Sequence, residues 1–174
     1  MAARGSRGRK AKRKAARARG PRLASHVRPL EVALHVEVDP SHGAAFRGDV
    51  THRLRLERPV RSIELHAADL RIARPRITAA GRLRRGALVA HPSVERVEIT
   101  FAEPVPAGEA VLELAFAGKL RGDLRGLYAA RAGERAYALT QLEAADARRF
   151  FPCFDEPSFK ARFQLSVTTA SATR

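Results

Sequence analysis

From Val32 onward the chain alternates apolar and polar residues with a period of two, and no stretch of it sustains the 3.6-residue stripe of a helix. Successive side chains of an extended chain point to opposite faces, so this pattern restricts the fold to half-buried strands. Val32, Leu34, Val36 and Val38 share one face, with Ala33, His35 and Glu37 on the other. Pro40-Ser41-His42-Gly43 breaks the run as a turn. Phe46, Val50, Leu54 and Leu56 then alternate with Arg47, Asp49, Thr51, Arg53 and Arg55, and Pro59 ends that run. Gly48 falls on the apolar face, where it marks either a bulge or a close backbone approach.

The later alternations are shorter. Ile63 and Leu65, Leu70 and Ile72, Val97 with Ile99 and Phe101, and Ala110 with Leu112, Leu114 and Phe116 each read as a strand. Leu127–Ala129 and Tyr137–Leu139 bracket Arg131-Ala132-Gly133-Glu134 as a hairpin, and Phe163, Leu165 and Val167 form the last run. Residues 143–149 are compatible with about two helical turns at most. Many short strands separated by Pro and Gly turns predict an all-β domain, an antiparallel β-sandwich or related sheet domain with one short helical turn.

The length of 174 residues fits one domain with a tail. The formal charge of +15 suggests a nucleic-acid binder until it is located. Residues 1–22 hold ten Lys or Arg and no acid, which leaves +5 for residues 23–174. The tail has no apolar periodicity and its like charges repel, so a disordered extension is expected over 1–22 and a β domain over 23–174. A weak contact with nucleic acid or an anionic membrane surface is the functional alternative for the tail. Cys153 is the single cysteine, which excludes an internal disulfide and any CxxC motif. No apolar run is long enough to span a bilayer and no apolar segment follows the basic start, so a cytoplasmic location is the default expectation.

Candidate chemistry is sparse. The histidines are His26, His35, His42, His52, His66 and His91, and none forms an HExxH pair. His35, His42 and His52 sit on or beside strands, where alternation explains them as surface residues. Cys153 lies between Pro152 and Phe154, a setting for a small core side chain rather than a nucleophile. No catalytic and no metal-ligating residue is therefore predicted. Gln141 and Glu143 remain. Spacing alone leaves two readings: a solvated carboxylate, or an amide and a carboxylate aimed to the same side of a strand, where they hold an ammonium.

Thr140-Gln141-Leu142-Glu143, then Ala147-Arg148-Arg149, Phe151-Pro152-Cys153-Phe154-Asp155-Glu156-Pro157 and Lys160-Ala161-Arg162-Phe163 follow one another within a short span. The string resembles TQ-x-E…ARR-x-FPCFDEP-x-x-KA-x-F of the M1 (gluzincin) zinc aminopeptidases, and weaker upstream pieces such as Phe46-Arg47-Gly48-Asp49-Val50 and Gly126-Leu127-Tyr128 agree in order. The resemblance implies a saddle-shaped N-terminal β domain that packs on a zinc-bearing helical domain. It implies that Glu143 helps bind the free α-amino group of a peptide and that Gln141 lines the pocket for the first side chain. Arg148, Arg149 and Asp155 are read as structural, with arginine-to-carboxylate pairing inside the turn.

Family members continue with further strands, a GAMEN-like loop, HExxH and a distant glutamate ligand, none of which occurs here. No cofactor is expected in this chain, zinc belonging only to a catalytic domain that it lacks. The β domain is expected to be short of its last strands, with an open edge. Three functions follow. The first is an amine-anchoring module, inactive alone, whose partner is a peptide N-terminus. The second is a stand-alone β module that docks on a protein. The third is a tail-driven nucleic-acid or membrane-surface binder.

Overall fold

The computed structural model describes residues 22–169, so the expected disordered tail lies almost wholly outside the described residues. The described residues form ten strands: β1 (Val27–Val38), β2 (Ala45–Leu56), β3 (Val60–His66), β4 (Arg71–Ala79), β5 (Arg82–His91), β6 (Arg96–Val105), β7 (Gly108–Lys119), β8 (Gly126–Ala132), β9 (Arg135–Gln141) and β10 (Arg162–Thr168). Eight of them make one sheet in the order β10-β1-β2-β7-β4-β5-β6-β3, and β8 and β9 pair as a separate hairpin. The all-β expectation holds, in its sheet-domain form. Every pairing is antiparallel except that of β10 with β1.

Residues from β1 (Leu34, Val36) and from β3 at the far edge (Ile63, Leu65) belong to one apolar cluster. Strands so far apart in the order share a core only because the sheet curls on itself. Alternation sorts the two faces. Phe46, Val50, Leu54 and Leu56 of β2 meet Ala110, Leu112, Leu114 and Phe116 of β7 inside, all of them buried. Outside, arginines and acids face each other across strands: Arg47 with Glu37 at 2.5 Å and Arg76 with Glu113 at 2.8 Å, in both cases register partners. Such exposed pairs contribute little individually to stability, but they keep opposite signs adjacent on a face crowded with arginine.

Three sequence expectations change. The turn expected over 143–149 contracts to one 3-10 turn, Ala147–Arg149. Strand β5 has no counterpart in the sequence reading, because it alternates poorly and keeps no residue fully buried. Its neighbour β4 is interrupted at Pro75, with a register shift between Ala73 and Arg76. His52, expected on the surface, is fully buried. It occupies the apolar-face position between Val50 and Leu54, and the same alternation that placed those two places it.

Gly48 is a close approach and not a bulge. The β1–β2 register runs unbroken through Val36 opposite Gly48. A Cβ there would lie 2.2 Å from the His35 carbonyl oxygen and 2.8 Å from Phe116 Cζ. Gly48→Ala is expected to cost about 2 kcal/mol, roughly 5–8 °C in Tm. Gly122→Ala is expected to be near neutral, since nothing lies within 4 Å of its Cβ position. Thermal melts of the two variants by circular dichroism check this, and equal melting temperatures would contradict the close-approach account.

Candidate functional site

The segment after β9 is welded to the sheet by backbone, ring and charge contacts. Cys153 and His66 exchange backbone hydrogen bonds, the Cys153 N–H donating at 3.0 Å and the His66 N–H at 2.8 Å. The Ala68 N–H donates to the Arg148 carbonyl at 2.9 Å. Phe150 and Phe151 are buried, with ring centroids 5.5 Å apart at right angles, and Phe150 also meets Phe46 at 6.2 Å. Edge-to-face rings of this kind add specificity to apolar burial.

Two arginines close the segment. Arg148 Nε donates to Asp155 Oδ2 at 2.8 Å, and its Nη1 reaches Glu95 Oε2 at 3.2 Å. Arg149 donates to Asp146 at 2.9 Å, to Asp69 at 3.1 Å and to the other oxygen of Glu95 at 2.5 Å. Glu95 thus bridges both arginines from the turn that precedes β6. The guanidinium fork suits this division of donors among several carboxylates. The structural role expected for Arg148, Arg149 and Asp155 is what their contacts describe.

Gln141 is the last residue of β9, and Glu143 lies two residues on, outside the strand. Alternation therefore does not by itself align the pair. Leu142 between them packs against the core, while the side chains on either side of it are exposed. Between Gln141 and Arg162 the acids are Glu143, Asp146, Asp155 and Glu156. Asp146 and Asp155 are held by arginines, and Glu156 accepts the Leu23 N–H at 2.6 Å. Among the described residues, Glu143 is the one acid of this segment without a hydrogen-bond or ion-pair partner.

Two further groups bear on chemistry. Burial pushes the Cys153 thiol well above its ordinary range, so it is not a thiolate nucleophile. His52 contacts the Pro152 carbonyl through Nε2 at 2.9 Å, which makes Nε2 the donor. Its Nδ1 is buried without a partner among the described residues. A cavity of about 250 Å³ lies beside it, lined by Phe151, Cys153, Phe154, Phe159 and Phe163. A larger cavity, about 1220 Å³, sits at the far end of β1, β2 and β7 and includes neither Gln141 nor Glu143. Several of its charges pair with one another, Arg47 with Glu37, His42 with Asp39 and Arg121 with Asp123 and Asp69, while Arg71 and Lys119 also line it.

Among the described residues, no group of three or more His, Cys, Asp or Glu is placed to hold a metal ion. The described residues therefore do not fit a zinc site. None of its described helices is long and apolar enough to cross a membrane.

Taken together these features define an all-β sheet domain carrying a clamped, solvent-facing acidic loop. The chain belongs to the peptidase M1 N-terminal domain family, whose model matches residues 28–174. It is 39% identical to aminopeptidase M1-B of Oryza sativa subsp. japonica over 88% of its own length and 18% of that protein's. It is 35% identical to the probable M1 family aminopeptidase 1 of Encephalitozoon cuniculi, covering 86% of this chain and 17% of that protein. With aminopeptidase 2, mitochondrial, of Saccharomyces cerevisiae it shares 33% identity over 84% of this chain and 16% of the relative. The chain thus spans less than a fifth of the length of these relatives.

Burial lowers the pKa of His52 from 6.5 to about 4, so the folded state keeps it neutral where the unfolded chain takes up a proton. The sign follows: stability from this group is fully present above pH 6.5 and is lost as pH falls towards 4. The loss at pH 5 is about 2 kcal/mol from His52. His66 is lowered to about 4 as well, through burial and then the Arg148 and Arg96 charges, and adds in the same direction. Urea midpoints at pH 7.5 and pH 5 measure this. The difference should shrink by about half in His52→Gln, and an unchanged difference would contradict a neutral buried His52.

Proposed function

We propose that this chain is the substrate-anchoring module of an M1-type aminopeptidase, in which Glu143 receives the α-ammonium of a peptide and Gln141 lines the space for the first side chain. The observation that carries this reading is the unpaired state of Glu143 in a loop whose other acids are all engaged. A carboxylate left open on a fixed loop is available to an incoming cation, and a charge-assisted bond to it selects a free N-terminus over a blocked one. The clamp of Arg148 and Arg149 supports the reading from below. It fixes the loop's position before substrate arrives, which reduces the ordering cost of binding.

Bond cleavage is assigned to another segment, and the isolated chain is expected to be inactive. Within the chain, the reading asks only for amine recognition and orientation. A second reading, docking on a protein partner, is favoured by β10. This edge strand leaves Phe163, Leu165 and Val167 at least 56% exposed, in register with the buried Val32, Leu34 and Val36 of β1. The apolar face there continues past the last covered strand, as expected for a surface that another segment or protein covers. The two readings are compatible.

The test is a titration of the ¹⁵N-labelled chain with leucinamide and with N-acetyl-leucinamide at pH 7, where the free amine is largely charged. Leucinamide should shift the signals of residues 141–144 saturably, and the acetylated ligand should not. Glu143→Gln should weaken binding about tenfold or more, the scale of one hydrogen bond to a charged group. Equal shifts by both ligands, or shifts centred elsewhere, would overturn the assignment.

A further inference from the structure

The outer face of the sheet carries a cationic trench in which Gln141 and Glu143 take no part. Register places Glu37, Arg47, Ala117 and Arg71 in one row across β1, β2, β7 and β4, and partners in register share a face. Arg47 and Arg71 therefore stand two strand spacings apart, roughly 10 Å, with only the methyl of Ala117 between their stems. Lys119 follows on the same face of β7, about 7 Å along from Ala117 and opposite Ala45. The small side chains of Ala45 and Ala117 leave the space between these cations open, and all five residues line the cavity of about 1220 Å³. A second cavity, about 440 Å³, continues past Ala115 and shares Arg47, Arg71 and Ala117 with the first.

Every acid lining the larger cavity has a partner. Glu37 is held by Arg47, Asp39 by His42 and the Ser41 N–H, and Asp69 and Asp123 by Arg121. Among the described residues, Arg71 and Lys119 are the two charged lining residues without an ion pair or side-chain hydrogen bond. Other arginines of the same face are matched, Arg74 with Asp49, Arg76 with Glu113 and Arg53 with Glu109. Like charges on neighbouring strands repel, and an anion between them relieves that repulsion. Arg47 spends Nε and Nη2 on Glu37 and keeps Nη1 for a further acceptor.

We propose that Arg71 and Lys119 bind the phosphoryl group of a small phosphate monoester, whose apolar body lies against Val38, Ala45 and Leu120 in the same cavity. A phosphate monoester carries about two negative charges near neutral pH and offers three acceptor oxygens. It matches the two cations, where a carboxylate neutralises only one. The guanidinium fork of Arg71 takes two oxygens in parallel, and Lys119 acts as a point charge on the third. Val38, Ala45 and Leu120 line the cavity toward the strand ends, and a ligand body placed on them removes apolar surface from water. The volume accommodates a small organic molecule. No bond is made or broken in this account, and it stands apart from the reading of Glu143.

The experiment titrates the full ¹⁵N-labelled chain with phenyl phosphate, inorganic phosphate and benzoate at pH 7.5 and constant ionic strength. Shifts are read residue by residue, because the Lys- and Arg-rich start of the chain attracts any anion. Phenyl phosphate should shift the signals of residues 45–47, 71 and 117–119 saturably. Inorganic phosphate lacks the apolar body and benzoate the second charge, and each should bind about tenfold more weakly. Arg71→Gln and Lys119→Gln, both at exposed positions, should each weaken phenyl phosphate about tenfold while keeping the rest of the spectrum. Arg55→Gln, on the same face but away from both cavities, should leave binding unchanged. If Arg55→Gln weakens binding as much as Arg71→Gln, or the shifts spread over the face without saturating, net charge alone attracts the anion and the proposal is overturned. Benzoate binding as tightly as phenyl phosphate overturns the phosphoryl assignment, and inorganic phosphate doing so overturns the place given to the apolar body.

Discussion

The bridge from Glu95 to Arg148 and Arg149 is the interaction on which the candidate site depends. It joins the turn before β6 to a loop more than fifty residues away in sequence. Both arginines are mostly shielded from water, so their charges interact more strongly than surface pairs and their loss would leave acids stranded. Such a pair is weak evidence for stability in itself, because desolvation offsets much of the attraction. Its contribution lies in position. With Asp155 and Asp146 completing the set, the loop from Leu142 to Asp155 is tied at several points, and Glu143 is left exposed.

Aromatic burial and backbone pairing make that clamp affordable in free energy. The rings of Phe150 and Phe151 enter the core at the end of the 3-10 turn, and the Cys153–His66 exchange ties the loop to the edge strand β3. His52 adds a hydrogen bond to Pro152 from inside the sheet. The loop is therefore held from two sides: by apolar contacts below, and by charges along its flank. A loop so constrained can present one free carboxylate without collapsing onto it.

Much of this was legible in the residues. Period-two alternation located the strands with one clear apolar face, β1, β2, β6 and β7, because one side of each meets the core. It failed for β5, which lies on a stretch of sheet with little cover and so carries no strong pattern. His52 reads as a surface residue only when histidine is counted as polar; its position between Val50 and Leu54 puts it inside. For the loop, residue types and spacing suggested arginine-to-carboxylate pairing, but Glu95 and Asp69 come from distant turns that no local pattern connects to Arg149.

What the sequence determined on its own was the class of fold and the short list of chemistry-bearing residues, since alternation and motif spacing are local properties of a chain. Tertiary structure decided which acids are engaged and which one is open, because pairing depends on where distant turns meet. It also decided that Arg47 and Arg71 stand on either side of Ala117, from strands far apart in sequence. Those outcomes follow from strand register and from the curl of the sheet, and both are set by the packing of the whole domain.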